Sequence, residues 1–396
     1  MVYLVYFLIL ATLLPFGFTT SEDNLVQTLV ARVPKELGFF AGASLIIAMS
    51  MWDQEKVNTF NNKWIAAFLV WVVCHFFFLF YLPIININTQ GMYIFKTTVV
   101  RPFLNMFLGV VLIKVLVESL SHKDWIKICK FLCWTGFLLS VYSILQWFGI
   151  DQIFQSENWK LNHSNGVVMR KDFMMTFMSH RVLSSNYIAL IAPLCLMFQD
   201  FRYKLFFAVM AVSVCMADSL TSFAALGVSV IAYLILCAQW RKLFLVIVLM
   251  SVLAVFLGGK HQNFFSANSR ESLWKDSISD VVKKAPYTGF GIGSYPKKYK
   301  VGKEMALSAH NEFVQVANEG GLIMVVIVIG YLITLFRRAI LLIIDQRFIM
   351  TICFFSAVLG LLVISNGSFP FRFAPLATLG ILYIAYMESQ LSRRTV

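Results

Sequence analysis

The chain has 396 residues, of which 59% are hydrophobic and 13% are charged, and its formal net charge is +13. Ordinary globular domains are about 45–50% apolar and roughly 25% charged, so this composition excludes a soluble protein of this length. The apolar residues form blocks near the ~20 residues that cross a bilayer, whereas the strands of a membrane β-barrel alternate polar and apolar residues. The composition therefore predicts an all-α polytopic membrane protein.

About twelve apolar blocks have the length expected of membrane-spanning helices. The first block has no basic residue before it, so we expect a retained helix and not a cleaved signal peptide. The predicted spans are 2–18, 37–51, 64–85, 99–117, 127–148, 185–199, 203–217, 219–238, 243–258, 320–336, 348–365 and 373–388.

The basic residues predict the orientation of these spans. Short loops on the inner side of a membrane are enriched in Lys and Arg, and an inner N-terminus places most basic loops on that side. These inner residues are Lys56, Lys63, Lys123, Lys127, Lys130, Arg202, Lys204, Arg241, Lys242, Arg337, Arg338, Arg347, Arg393 and Arg394. Because the basic residues are scattered between spans, we expect membrane lipids and no nucleic acid as partners.

Two long polar segments, 149–184 and 259–319, then face outward. Long connections are usually functional or disordered, and the second one has helical patterning. The chain is therefore divided into 1–258 with spans 1 to 9, a large outer loop over 259–319 with two short helices, and 320–396 with spans 10 to 12 and an inner tail.

The outer loop is predicted to form two short helices joined by a turn. Asn268 and Glu271 have the spacing of a capping box, and the first helix ends before Pro286. The second helix starts near Ser308 and runs into the next span. The apolar face predicted for the first helix comprises Leu273, Trp274, Ile278, Val281 and Val282.

The sequence lacks several common motifs for binding nucleotides or metals and for nucleophilic catalysis. The run Gly289-x-Gly291-x-Gly293 has no βαβ unit around it, so we expect a turn and not a dinucleotide site. There is no phosphate-binding loop, no Asp-x-Asp pair, no His-Glu-x-x-His and no Gly-x-Ser-x-Gly. All seven cysteines lie within or beside apolar blocks, so we expect no disulfide and no metal site.

What remains is a set of outer-face cations: Arg270, His310, Arg181 and Arg372. Arg270 is predicted in the first turn of one loop helix and His310 in the first turn of the other. A helix N-terminus binds anions and lowers the pKa of a nearby histidine, which keeps the imidazole neutral and able to accept a proton. Arginine adds a two-pronged donor suited to phosphate oxygens.

Four segments resemble the O-antigen ligase and polymerase superfamily in sequence, order and spacing. They are 184–194 (SSNYIALIAPL), 270–274 (RESLW), 285–293 (APYTGFGIG) and 308–322 (SAHNEFVQVANEGGL). About twelve spans with a long outer loop between the ninth and the tenth is also that superfamily's layout. The resemblance covers roughly 170–390.

The resemblance implies a C-type glycosyltransferase at the periplasmic face of the bacterial inner membrane. Its donor would be a glycan on undecaprenyl diphosphate and its acceptor a hydroxyl of a lipid or glycan, with neither nucleotide, metal nor other cofactor. In this chain, Arg270 would bind the diphosphate with Arg181 and Arg372. His310 would deprotonate or orient the acceptor, and Asn311 would hold the acceptor or the sugar.

Three alternatives to an O-antigen ligase-like enzyme stay open. The first is an O-antigen or capsule repeat-unit polymerase of the same superfamily. The second is a flippase or other transporter of lipid-linked oligosaccharide, and the third is a non-catalytic assembly factor. A transporter has no evident need of arginine and histidine at helix starts in an outer loop, so we expect an enzyme.

Overall fold

The computed structural model of the chain is a bundle of helices that run up and down beside one another. It describes residues 1–13, 39–49, 101–148, 150, 181–217, 219–248, 268–291, 309–346, 348–368 and 370–392, with the shorter pieces 63, 67–68, 70–71, 295, 300–301 and 304–305. The first predicted outer segment, at 149–184, and the start of the 259–319 loop lie almost entirely outside the described residues.

The helices are numbered here in chain order. They are α1 Val2–Leu13, α2 Phe39–Met49, α3 Arg101–Ser119, α4 His122–Trp147, α5 Arg181–Ile191, α6 Phe201–Met216, α7 Leu220–Leu236, α8 Asn268–Lys284, α9 Glu312–Gln346, α10 Ile349–Gly367 and α11 Ala374–Ser392. Residues 240–248 are also helical. A 3₁₀ turn over Ala192–Met197 continues α5, and another over Pro370–Arg372 precedes α11. Strands β1 Lys300–Val301 and β2 Glu304–Met305 form a two-stranded antiparallel hairpin.

The helices confirm the predicted membrane-protein class. Within the described residues α4, α9 and α10 are long and apolar enough to cross a membrane, and four shorter apolar helices accompany them. Helices also occupy the predicted spans at 99–117, 203–217 and 373–388. The total of twelve spans stays a prediction, because several of them fall outside the described residues.

Helix α4 begins five residues before the predicted span. Ser121 caps it, accepting a hydrogen bond from the Asp124 backbone N–H at 3.3 Å, while the Asp124 carboxylate accepts one from the Ser121 backbone N–H at 3.1 Å. This capping box satisfies helix-end donors reciprocally. Hydropathy alone cannot detect such a start, because the first turn of α4 is polar.

Helix α9 joins the second loop helix to the tenth predicted span, as expected, but it is kinked. At Gly321 the backbone has φ 65° and ψ −166°, outside the helical region. Glycine occupies positive φ without the steric penalty of a Cβ. The kink separates a short polar segment, Glu312–Gly320, from the apolar remainder of the helix.

Close packing of small residues joins α7 to α10. A Cβ added at Gly360 would collide with the Ser229 hydroxyl and would lie 3.1 Å from the Ala225 carbonyl oxygen. Small residues let membrane helices approach closely where no hydrophobic effect drives them together. The Tyr383 hydroxyl donates to the Leu190 carbonyl at 2.8 Å and so fastens α11 to α5 in the same core.

The bundle has two opposite ends with different chemistry. At one end Lys130 of α4 lies over the ring of Phe198, and Arg202 pairs with Asp200 at 2.8 Å. These basic residues belong to the loops predicted to be inner. The other end gathers the starts of α5, α7, α9 and α11 with the end of α10, and carries the candidate site.

The described part of the chain contains six of the seven cysteines, and the absence of disulfides from the whole chain stays a prediction. Six are free: Cys129, Cys133, Cys195, Cys215, Cys237 and Cys353. The seventh, Cys74, lies outside the described residues.

Candidate functional site

Helix α8 confirms the predicted start and end of the first loop helix, but part of its predicted face is wrong. Leu273, Ser277 and Val281 are buried on one stripe at i, i+4 and i+8, the spacing of a single helix face. Ile278 and Val282 instead point outward, at 48% and 65% exposed. A polar residue, Ser277, takes the centre of the buried face because it has a buried partner on α9.

Two hydrogen bonds fasten α8 to the start of α9. The Asn318 side-chain amide donates to the Ser277 hydroxyl at 3.1 Å. The Trp274 indole N–H donates to the Ala309 carbonyl at 2.6 Å. Leu273, Tyr295, Ala309 and Val314 form a small apolar cluster beneath these bonds. Helix α8 therefore packs directly on the turn that carries His310.

The glycine run after α8 forms the predicted turn, and it docks on the kink of α9. The Phe290 N–H donates to the Asn318 carbonyl at 2.8 Å, and the Leu322 N–H donates to the Pro286 carbonyl at 2.8 Å. Gly289 and Gly321 both have φ 65°. A Cβ at Gly289 would lie 2.6 Å from the Gly321 nitrogen, and one at Gly321 would collide with the Tyr287 carbonyl. Only glycine fits at either position.

We expect Gly321→Ala to loosen this docking. The Cβ meets backbone that cannot move aside, and the left-handed conformation adds about 1–3 kcal/mol of strain. The apparent Tm of the purified protein in detergent should therefore fall. Gly109→Ala is the control, since its Cβ would meet only the flexible end of Ile381 at 3.1 Å. Equal Tm values for the two variants would contradict this account.

His310 lies just before α9 and not in its first turn, which corrects the prediction. The helix begins at Glu312. Its cap is Asn311, whose side-chain oxygen accepts from the N–H groups of Phe313 at 2.9 Å and Val314 at 3.1 Å. His310 is partly buried and has a left-handed backbone with φ 51°, a conformation that is uncommon for any residue other than glycine.

The side chain of Asn311 has a structural task at this position. Besides capping α9, its amide nitrogen donates to the Asn366 carbonyl at 3.3 Å, and the residue is 7% exposed. The bond ties the start of α9 to the end of α10. The predicted contact of Asn311 with sugar or acceptor stays a prediction.

Arg372 lies between two glutamates of α9. Its Nη2 is 2.7 Å from the Glu319 carboxylate and its Nε is 3.6 Å from the Glu312 carboxylate. Both glutamates are buried, at 6% and 1% exposed for Glu312 and Glu319. The guanidinium charge is thus already balanced inside the protein, and this differs from a clamp held open for a diphosphate.

Glu312 and Glu319 were missed as site residues in the sequence, although a signal was present. They are seven residues apart, which places them on one helix face, and Glu319 lies inside the segment that carries the family resemblance. Burial of two carboxylates on one face requires a cation opposite them. Arg372 supplies it from a turn 53 residues further along the chain.

The two remaining arginines begin helices. Arg181 is the first residue of α5 and is partly buried, and Arg270 is the third residue of α8. The side-chain position of Arg270 lies outside the described part. Next to it, Glu271 forms an ion pair with Lys275 at 2.8 Å, and this hydrogen bond holds the pKa of the Glu271 carboxyl below its ordinary value.

Close contacts between α5, α7 and α10 place the start of α5 near the His310 turn. The Ser185 and Ser222 hydroxyls are 2.6 Å apart, and the Ser222 hydroxyl donates to the side-chain amide oxygen of Asn186 at 2.7 Å. A Cβ at Gly367, beside Asn366, would lie 2.9 Å from the hydroxyl of Thr221. The start of α5 that carries Arg181 is therefore at the same end of the bundle as His310.

No group of three or more His, Cys, Asp or Glu side chains is placed to hold a metal ion in the described part of the chain. The charges at this end come from arginines and glutamates instead. Independence from metal and nucleotide stays a prediction.

Comparison with known proteins bears on the region that holds Arg270 and His310. No curated protein matches the chain. The family model described as O-antigen ligase matches residues 205–329, a range that contains α7, α8 and the start of α9. This match confirms the predicted resemblance to the O-antigen ligase superfamily over residues 205–329.

Proposed function

We propose that the protein is an O-antigen ligase-like glycosyltransferase. It moves a glycan from undecaprenyl diphosphate to a hydroxyl of a lipid or glycan acceptor at the outer face of the inner membrane. The observation that carries this proposal is the hydrogen bond from Trp274 to Ala309. Trp274 lies four residues after Arg270, about 6 Å along the helix axis, and Ala309 precedes His310. A cation and a candidate base thus belong to two elements in direct contact.

In the proposed reaction the acceptor oxygen attacks the anomeric carbon of the donor sugar. The bond between that carbon and the diphosphate oxygen breaks, and the lipid diphosphate leaves with the bonding electrons. His310 takes the hydroxyl proton. Fixed donors aimed at the developing charge lower the barrier without reorganising during the reaction.

The negative charge on the leaving diphosphate is assigned to Arg270, with Arg181 as the second cation. Arg270 is in the first turn of α8, where free N–H groups add to the attraction for an anion. Arg372 stays a candidate for a third contact, but its two glutamate partners favour a supporting role in the protein. Asn311 would contact the sugar or the acceptor through the part of its surface that stays exposed after it caps α9.

Deletion of the gene tests the reaction and separates it from the alternatives. Loss of a ligase leaves long polymer on the carrier lipid, whereas loss of a polymerase leaves single repeats. We expect the long polymer, read on a gel of lipid-linked and surface glycan. Single repeats would show that the polymerase alternative is correct. Purified protein that moves lipid-linked glycan across liposomes without transferring it would show a transporter.

A further inference from the structure

The backbone of His310 has a conformation that requires support from its neighbours. Among the described residues that are not glycine, only Ala238 and His310 have positive φ. Such conformations persist where the surrounding structure over-determines them, and they cluster at functional sites. The atoms that hold the His310 turn therefore identify the residues that place its imidazole.

Both backbone groups of the preceding residue are fixed. The Ala309 N–H donates to the Gln315 side-chain oxygen at 3.3 Å, and the Ala309 carbonyl accepts from the Trp274 indole at 2.6 Å. Ala309 is fully buried, so water cannot replace these partners. On the other side of His310, Asn311 is held as the helix cap.

The orientation of the Gln315 amide is set by Glu319. The Gln315 amide nitrogen donates to one oxygen of Glu319 at 3.0 Å, and the other oxygen accepts from Arg372 at 2.7 Å. A carboxylate only accepts hydrogen bonds, so the amide must turn its nitrogen toward Glu319 and its oxygen toward Ala309. Gln315 and Glu319 are both 1% exposed.

We infer that Gln315 and Glu319, with Arg372 behind them, are positioning residues that hold His310 in place for proton transfer. The contacts run from Arg372 to Glu319, to Gln315 and to the peptide before His310. This inference rests on the proposed function for its effect on rate. In this inference Arg372 fixes the position of Glu319 through their buried ion pair.

Exchange of the two α9 side chains tests the inference sharply. In Glu319→Gln alone, the new amide has one oxygen to offer to two donors, the Gln315 amide and the Arg372 guanidinium. One of these donors therefore loses its acceptor. In the double variant Gln315→Glu with Glu319→Gln, the new carboxylate accepts from both Ala309 and the new amide, whose oxygen still accepts from Arg372. The hydrogen-bond pattern and the total charge are restored.

The measurements use full-length protein in detergent, with lipid-linked glycan extracted from the deletion strain as donor, well below the lowest Tm of the variants. We expect Glu319→Gln and Gln315→Leu to lower kcat by about 10–100-fold with the donor KM unchanged, since displacement by about 1 Å can cost 10²-fold. The double variant should recover most of that loss. Gln390→Leu, at the far end of α11, is the control.

A second measurement reads the position of His310 without turnover. The rate at which diethyl pyrocarbonate modifies His310, followed by peptide mass spectrometry, should change several-fold in Gln315→Leu and return in the double variant. Unchanged modification and unchanged kcat would overturn the positioning role. Changed modification with normal transfer, together with normal transfer by His310→Ala, would instead overturn the base role in the proposed function.

Discussion

His310→Ala should lower glycan transfer by about 10²–10⁴-fold, the usual contribution of a positioned general base. The acceptor hydroxyl is a weak nucleophile, and no other described histidine is placed beside the start of α9. The measurement is the surface-glycan ladder of a deletion strain complemented with the variant, followed by kcat of the purified protein. Cells carrying it should resemble the deletion strain.

A second variant separates the loss of the imidazole from the loss of the turn. Alanine tolerates the left-handed backbone of His310 poorly, whereas asparagine adopts it readily. His310→Asn should therefore keep the wild-type Tm and still lose transfer. His122→Ala, an exposed histidine at the start of α4 at the opposite end of the bundle, is the matched control. Full transfer by His310→Asn would remove the base from the mechanism.

The predictable parts of the site are those determined by residues that are close together along the chain. The end of α8 follows from Pro286, and the turn at Gly289 follows from its glycines. The positions of most described spans follow from hydropathy, because a membrane helix must satisfy its own backbone and bury its length in lipid. Each of these features depends on neighbours along the chain.

The parts that were missed depend on contacts between distant segments. Ser277 is buried in place of Ile278 because Asn318, 41 residues away, supplies its hydrogen bond. The outward residues Ile278 and Val282 are apolar too, so the apolar residues of α8 alone did not identify the side that packs. The packing of Gly289 against Gly321 and the ion pair of Arg372 with Glu319 also join segments that are far apart in the sequence.

A large effect is also expected from the cation proposed to stabilise the leaving diphosphate. Arg270→Ala should reduce transfer by about 10²–10³-fold, the cost of removing one preorganised donor from a developing negative charge. The transfer rate of Arg270→Lys should lie between those of Arg270→Ala and the wild type. Lysine keeps the charge but lacks the planar guanidinium that binds two phosphate oxygens. The loss should appear in kcat at saturating donor, because the leaving diphosphate gains charge in the transition state.

Lys275→Ala is the matched control for Arg270, because Lys275 is an exposed cation on the same helix whose partner is Glu271. It removes the same unit of charge from α8 five residues further on, so a general effect of helix charge would appear in both variants. Transfer by the wild type should also persist in EDTA, since the proposed mechanism assigns the charge of the leaving diphosphate to guanidinium groups. Normal transfer by Arg270→Ala, or loss of wild-type transfer in EDTA, would show that the departing diphosphate is stabilised by something other than this arginine.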